Sequence, residues 1–271
     1  MAPQIVLITG ASSGFGKACA EHLGGLGHRV YGTSRSAAFP AEAEPSPTMI
    51  PMDVRDDASV RAAVDFVVER EGRLDVVVNN AGVGLAGAVE DTTPDEAREL
   101  FETNFFGVLR VCRAVLPTLR QQGSGLLVNI SSIGGLVAIP FQGFYSASKF
   151  AVESLTDALR MELKPFGVRV TLLEPGDFQT GFTERRVFSA ESETHPAYRE
   201  RCRRAVAVME HDERNGADPA ELARLLAKVM AKKSPKPRYA AGMFFQKLVV
   251  VIKRILPSAL LEKGIMAYYK I

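Results

Sequence analysis

Tyr145 and Lys149 stand four residues apart in the run Gly143-Phe144-Tyr145-Ser146-Ala147-Ser148-Lys149-Phe150, which opens a helical pattern reaching about Leu163. An i, i+4 pair shares one helix face, so the phenol and the ammonium lie side by side. A tyrosine hydroxyl titrates near 10 in water. Bringing it to neutrality takes a shift of about three units, or roughly 4 kcal/mol, and a neighbouring cation can supply that stabilisation. Ser132 directly follows the aliphatic run Leu126–Ser131, and a hydroxyl at a strand end can donate to a substrate oxygen. Phenol, ammonium and hydroxyl together suit proton exchange with a carbonyl or alcohol oxygen.

A second constellation supplies what such a reaction lacks. The apolar run Ile5–Thr9 passes through Thr9-Gly10-Ala11-Ser12-Ser13-Gly14-Phe15-Gly16 into a helical pattern starting near Gly16. Glycines there allow a tight turn and close backbone approach, and the free N–H groups and positive end of a helix face a pyrophosphate. After the next strand-like run, Arg29–Ser34, the chain places Ser34 and Arg35 where an NAD enzyme offers a carboxylate to the ribose 2′-hydroxyl. An arginine fork pairs with phosphate and Ser12 adds a hydroxyl donor, so NADP(H) is expected in preference to NAD(H). No metal is expected.

With these residues in place, the chain resembles the short-chain dehydrogenase/reductase family, in its single-domain subfamily, over about residues 4–181. The motif Thr-Gly-x-x-x-Gly-x-Gly is matched by Thr9, Gly10, Gly14 and Gly16, and Tyr-x-x-x-Lys by Tyr145 and Lys149, with Ser132 at the family's interval before the tyrosine. The resemblance implies that Asp53-Val54 contacts adenine and that Asn79-Asn80-Ala81-Gly82 borders the adenosine, with Asn79, Ala81 and Gly82 as cofactor contacts. It implies that Asn104 holds a proton-relay water near Lys149. It also implies that Pro175, Gly176, Phe178 and Thr180 grip the nicotinamide carboxamide. Within the family, Ser132-x-Gly134-Gly135 and Tyr145-x-Ala147-Ser148-Lys149-Phe150-Ala151 resemble the hydroxysteroid and retinol dehydrogenase branch. The implied reaction is hydride exchange between NADP(H) and a small-molecule ketone or secondary alcohol, in a homodimer or homotetramer.

These side chains need a scaffold, and the chain encodes one. Aliphatic runs also recur at Met49–Asp53, Asp75–Asn79 and Val168–Glu174, with a further short strand near Arg238–Ala241. Helical segments separate most of them, which predicts an α/β fold: a Rossmann-type, doubly wound parallel sheet of about seven strands, with helices on both faces. Thr93-Pro94-Asp95-Glu96 and Asp218-Pro219-Ala220-Glu221 carry helix-start signals. The length of 271 residues fits one domain, residues 1–271. Segment 181–216 is polar and weakly periodic and reads as a helical substrate lid. Its arginines, Arg185, Arg186, Arg199, Arg201, Arg203 and Arg204, alternate with glutamates and read as a solvated face.

Ile139, Gln142 and Phe182, with Ser132 and Tyr145, are the expected substrate contacts, and the apolar character around them favours a lipophilic substrate, steroid-, retinoid- or long-chain-ketone-like. The tail 243–271 is apolar, with Leu248-Val249-Val250-Val251-Ile252 flanked by Lys247, Lys253 and Arg254. It is too short before Pro257 to span a bilayer and is expected to pack on the pocket, on another subunit or against a membrane surface. A net charge of +2 gives no field for nucleic acid. Cys19, Cys112 and Cys202 form no ligand-like spacing, and no export signal is visible, which predicts a cytoplasmic protein. Two other readings stay open, a catalytically silent NADP(H)-binding sensor and a sugar-nucleotide epimerase; the complete set Asn104, Ser132, Tyr145 and Lys149 speaks against the first, and the glycine spacing against the second.

Overall fold

The computed structural model describes residues 2–41, 45–253 and 255–271; Arg254 and part of the loop after the second strand lie outside the described residues. Nine strands alternate with nine helices among them. The strands are β1 Ile5–Ile8, β2 Arg29–Ser34, β3 Thr48–Pro51, β4 Val76–Asn79, β5 Leu85–Ala86, β6 Gly125–Ile130, β7 Val168–Pro175, β8 Val187–Phe188 and β9 Arg238–Ala241. Seven form one parallel sheet in the order β3-β2-β1-β4-β6-β7-β9. The doubly wound, Rossmann-type α/β fold is therefore present.

Its strands are apolar on both faces because both faces are covered. In β1, Leu7 joins a core under α2 (Asp57–Glu71), α4 (Gly107–Gln122) and α5 (Gly143–Leu163), where it meets Val64, Val115 and Val152. Val6 and Ile8 face the other way, into a core with Leu23 of α1 (Gly14–Gly25) and Leu222 and Leu226 of α7 (Pro219–Met230). The strand order reverses at β1, which is flanked by β2 and β4, and a crevice opens at the carboxyl ends of these strands.

The predicted caps form. Thr93 and Glu96 make a reciprocal capping box at the start of α3 (Pro94–Phe101), and the Asp218 carboxylate accepts from Ala220 N at 2.8 Å. Helix α1 begins at Gly14, two residues before its expected start.

Two features were not anticipated. A parallel two-stranded ribbon, β5 with β8, fastens the lid to the body by pairing Leu85 with Val187. The lid itself is a 3-10 turn at Thr183–Arg185 followed by α6, Arg199–Arg214. The tail folds as two helices, α8 (Phe244–Ile252) and α9 (Ser258–Tyr268). Among the described residues no helix is long and apolar enough to cross a membrane.

Candidate active site

One cleft of about 1120 Å³ runs from the glycine-rich turn, past Tyr145, to the tail helices. At its first end lie Gly10, Ser12, Ser13, Gly14 and Phe15. Gly10 and Gly14 have φ of 65° and 54°, a region that costs other residues. The turn is also packed too closely for side chains. A Cβ on Gly14 would stand 3.2 Å from Thr180 O, and one on Gly16 would stand 2.3 Å from Gly10 O. Gly16 does not line the cleft; it lets α1 pack beneath the turn. The start of α1 has no side-chain cap and no acidic residue in its first turn, so its leading N–H groups face the crevice with positive dipole and suit a pyrophosphate.

Ser34 and Arg35 line the adjoining wall, with Asp53 and Val54 beyond them. Arg35 is exposed. Asp53 is engaged by Arg55 at 3.0 Å, and this partner, against the opposing effect of burial, holds its carboxyl below the usual carboxylate range. Ala81 and Gly82 also border the cleft. Asn79 does not: it is buried and donates to Asn129 Oδ1 at 2.8 Å. Side chains alternate along β4, which aims Asn79 into the core. Asn80 lines the cleft instead, and its Nδ2 donates to Thr9 O at 2.8 Å and to Gly10 O at 3.1 Å.

Tyr145, Lys149 and Ser132 converge on the middle of the cleft. Both α5 residues are buried. Lys149 Nζ lies 5.9 Å from the Tyr145 ring centre and donates to Ile130 O at 3.0 Å. Ser132 sits where β6 gives way to the 3-10 turn Ile133–Gly135, its Oγ accepting from Gly134 N at 3.0 Å. Burial pushes the phenol up to about 12, while a hydrogen bond with Ser132 opposes the rise and the carboxylate of Glu213 adds to it. Burial likewise brings the Lys149 ammonium down to about 8, with Glu153 opposing. The expected lowering of the tyrosine by its neighbouring ammonium is therefore absent here, because desolvation dominates both groups and Nζ is committed to a backbone carbonyl.

Asn104 lies on a π-helical turn, Glu102–Phe106, between α3 and α4. Its amide is consumed within the protein: Oδ1 accepts from Val83 N at 2.8 Å, and Nδ2 donates to Val83 O at 3.0 Å and Ser148 Oγ at 3.1 Å. It does not line the cleft. It ties the segment after Gly82 to α5, close to Lys149.

Pro175, Gly176, Phe178 and Thr180 line the wall at the end of β7, and Phe15 and Phe178 meet edge to face at 5.0 Å. Ile139, Gln142 and Phe182 border the space over Tyr145, with the Phe182 ring 5.7 Å from the phenol ring. Beyond them Phe245 and Val249 of α8, Leu260 and Ile265 of α9, and Leu256 between the two helices wall the far end. The tail thus packs on the pocket.

Several lining residues escaped the sequence reading. Asp177 and Glu213 face the cleft. Arg185 also lines it; it donates to the Ser13 hydroxyl and, at 3.0 Å, to Thr180 O. Arg186 is fully buried and paired with Glu213. Arg186 is therefore not part of a solvated face, because its side chain turns inward onto Glu213, whereas Arg185 stays exposed. Only the placement of Asp177 directly after Pro175-Gly176 offered a signal.

Residues 4–189 match the family model for short chain dehydrogenase. The chain belongs to the short-chain dehydrogenase family. This short-chain dehydrogenase is 45% identical over 271 residues to a 3-ketodihydrosphingosine reductase of Bacteroides thetaiotaomicron, with 100% of both chains covered. It is 40% identical over 204 residues to human 17-beta-hydroxysteroid dehydrogenase type 1, covering 70% of this chain and 62% of the relative. The crystal structure of a short-chain dehydrogenase from Streptomyces avermitilis superposes with a TM-score of 0.82 at 34% identity, covering 99% of this chain and 97% of that one. As a member of the family, this dehydrogenase is an oxidoreductase that uses a nicotinamide cofactor and acts on small molecules.

Proposed function

We propose that this protein is an NADP(H)-dependent reductase of a lipophilic ketone, 3-ketodihydrosphingosine or a related long-chain ketone. The observation that carries the reading is the continuity of the cleft. The glycine-rich turn, the Tyr145 and Ser132 hydroxyls and the apolar far end share one cavity. One relative that matches over the full length is a 3-ketodihydrosphingosine reductase, which supports a long-chain substrate over a steroid or retinoid.

When bound, the cofactor supplies hydride to the carbonyl carbon. The turn at Gly10, Ser12, Ser13, Gly14 and Phe15 would hold its pyrophosphate. Val54, Ala81 and Gly82 would border the adenosine, and Pro175, Gly176, Phe178 and Thr180 the nicotinamide carboxamide. Arg35 and Ser34 favour a 2′-phosphate, and the nearby Asp53 carboxylate is neutralised by Arg55.

Ser132 donates to the substrate oxygen and orients it. Tyr145 transfers its proton to that oxygen as negative charge develops there. Its raised pKa keeps the phenol protonated at neutral pH, and an alkoxide is basic enough to take the proton. Lys149 holds the ribose and contributes positive charge beside the phenol. Asn104 fixes the Val83 segment against α5 through both atoms of its amide. The test is NADPH oxidation against a panel of long-chain, steroid and retinoid ketones. A protein that oxidises NADPH with none of them overturns the reading.

The surroundings of the reaction point the same way. Cys19, Cys112 and Cys202 are free and buried, which supports a cytoplasmic setting. Exposed Phe106, Phe150, Met161 and Phe166 on and around α4 and α5 favour a homodimer or homotetramer. On the tail, Phe244, Val251 and Ile255 are exposed near Lys247 and Lys253, which favours contact with an anionic membrane surface from which a lipid substrate could enter.

A further inference from the structure

The apolar tail turns one polar side chain inward. Gln246 of α8 is buried and lines the cleft beside Phe245 and Val249. Burying an amide in an apolar wall is unfavourable unless both of its ends find partners. Here a single residue supplies both: Nε2 donates to Asp177 Oδ2, and Oε1 accepts from Asp177 N at 3.1 Å. Asp177 directly follows Pro175-Gly176 and precedes Phe178 and Thr180, the loop read above as the seat of the nicotinamide carboxamide. A side chain of the tail therefore clamps the loop at its centre.

Two glycines make room for that amide. A Cβ on Gly176 would collide with Gln246 Oε1, and one on Gly242, whose φ is 108°, would stand 3.3 Å from it. Gly176 N also donates to Ala241 O at 3.0 Å, so the loop is gripped on two consecutive residues, by β9 and by α8. The helix carrying Gln246 is itself pinned at its other end. Lys253 lies seven residues on and so on the same face; it donates to Leu136 O and stands over the Phe150 ring at 5.0 Å. Leu136 closes the turn after Ser132, and Phe150 follows Lys149. Helix α8 thus reaches from the Pro175–Thr180 loop to the elements that carry the reacting groups, and it lies beyond the residues matched by the family model, 4–189.

We propose that Gln246 is a positioning residue for the cofactor: by clamping Asp177 it fixes the Pro175–Thr180 loop in the shape that holds the nicotinamide ring, so that seating of the ring depends on docking of α8. This rests on the cofactor reading above and adds a residue of the tail to it. A loop already ordered by the clamp does not have to be ordered when the ring binds, which removes a cost from that step alone. The glycine-rich turn stands apart from the clamp and holds the rest of the nucleotide without it.

The test measures, by calorimetry on the whole protein, binding of NADPH and of the same nucleotide without the nicotinamide ring, 2′-phospho-ADP-ribose. Gln246→Met keeps the length of the side chain and removes both hydrogen bonds. It should weaken NADPH about three- to tenfold, as for the loss of one net hydrogen bond, and leave the ring-free nucleotide within about twofold. Binding of the latter shows that the variant is folded. Gln246→Glu places a second carboxyl on Asp177, among Glu213, Asp212 and Arg186, which already act on that acid. At pH ~6 the two acids can share a proton and restore the clamp, whereas at pH ~8.5 both ionise, so the preference for NADPH over the ring-free nucleotide should fall as pH rises. This variant decides where Gln246→Met fails to fold. Unchanged NADPH affinity in Gln246→Met, or equal weakening of both nucleotides, overturns the clamp and leaves the cofactor reading standing, as does a Gln246→Glu protein whose preference ignores pH. A wild type that binds neither nucleotide overturns both.

Discussion

Arg185 donates to the hydroxyl of Ser13, joining the substrate lid to the glycine-rich turn across 172 residues of chain. Its guanidinium stands at the mouth of the turn whose N–H groups suit a pyrophosphate, so it can add a fork of donors to the same phosphates. Arg185→Ala should weaken NADPH binding about three- to tenfold, a modest effect because the side chain is exposed and screened. Fluorescence titration at low and high salt checks it. An unchanged affinity at low salt would show that the lid has no part in holding the cofactor.

Tyr145→Phe keeps the ring against Phe182 and removes the hydroxyl that carries the proton. Reduction should slow by about 10²- to 10⁴-fold, with NADPH affinity little altered. A variant that reduces ketone at the wild-type rate would dismiss the phenol as the acid.

At Arg35 the choice is between two cofactors. Arg35→Asp substitutes a charge that repels a 2′-phosphate and accepts from a 2′-hydroxyl. The ratio of kcat/KM for NADPH over NADH should drop at least about tenfold. Initial rates with each cofactor measure it, and a constant ratio removes the basis for the NADP(H) preference.

The buried acid at Asp177 predicts a pH dependence of stability. Its carboxyl titrates near 7 in the folded protein against an ordinary 3.8. Between those values the folded state holds a proton that the unfolded chain has released, so stability falls as pH rises through this window. Glu213 and Asp212 strengthen the effect and Arg186 opposes it. Asp177→Asn cannot titrate. It should match the wild type near pH ~4 and exceed it above pH ~7 in denaturant unfolding; parallel curves at every pH would refute a buried, proton-holding carboxyl.

The scaffold was legible because its signals are local. Strand runs such as Ile5–Ile8 sit between short-range turn and cap signals, and the glycines of the first turn are marked by their own spacing, although Gly10 and Gly14 close against the distant Ala81 and Thr180. The α5 pair was legible for the same reason, since helical period alone aligns Tyr145 with Lys149. What sequence could not convey depends on distant partners. Asp177 is defined by Gln246, 69 residues on, and Arg186 by Glu213, 27 residues on. Charge alternation in 181–216 looked like solvation because nothing local marks the short β5–β8 pairing that turns Arg186 inward. Asn79 was misassigned for a different reason: adjacent asparagines at a strand end face opposite ways, and a one-residue difference decides which reaches the cleft.

The π-helical turn at Glu102–Phe106 carries one residue more than a regular helix would need to cover the same rise. Deleting a single residue there would let α3 and α4 merge into one continuous α-helix and rotate the α3 side of the junction by about 100° relative to the α4 side. Asn104 would then swing off Val83 and Ser148, so this irregular turn acts as a phase shift that keeps the amide in step with α5.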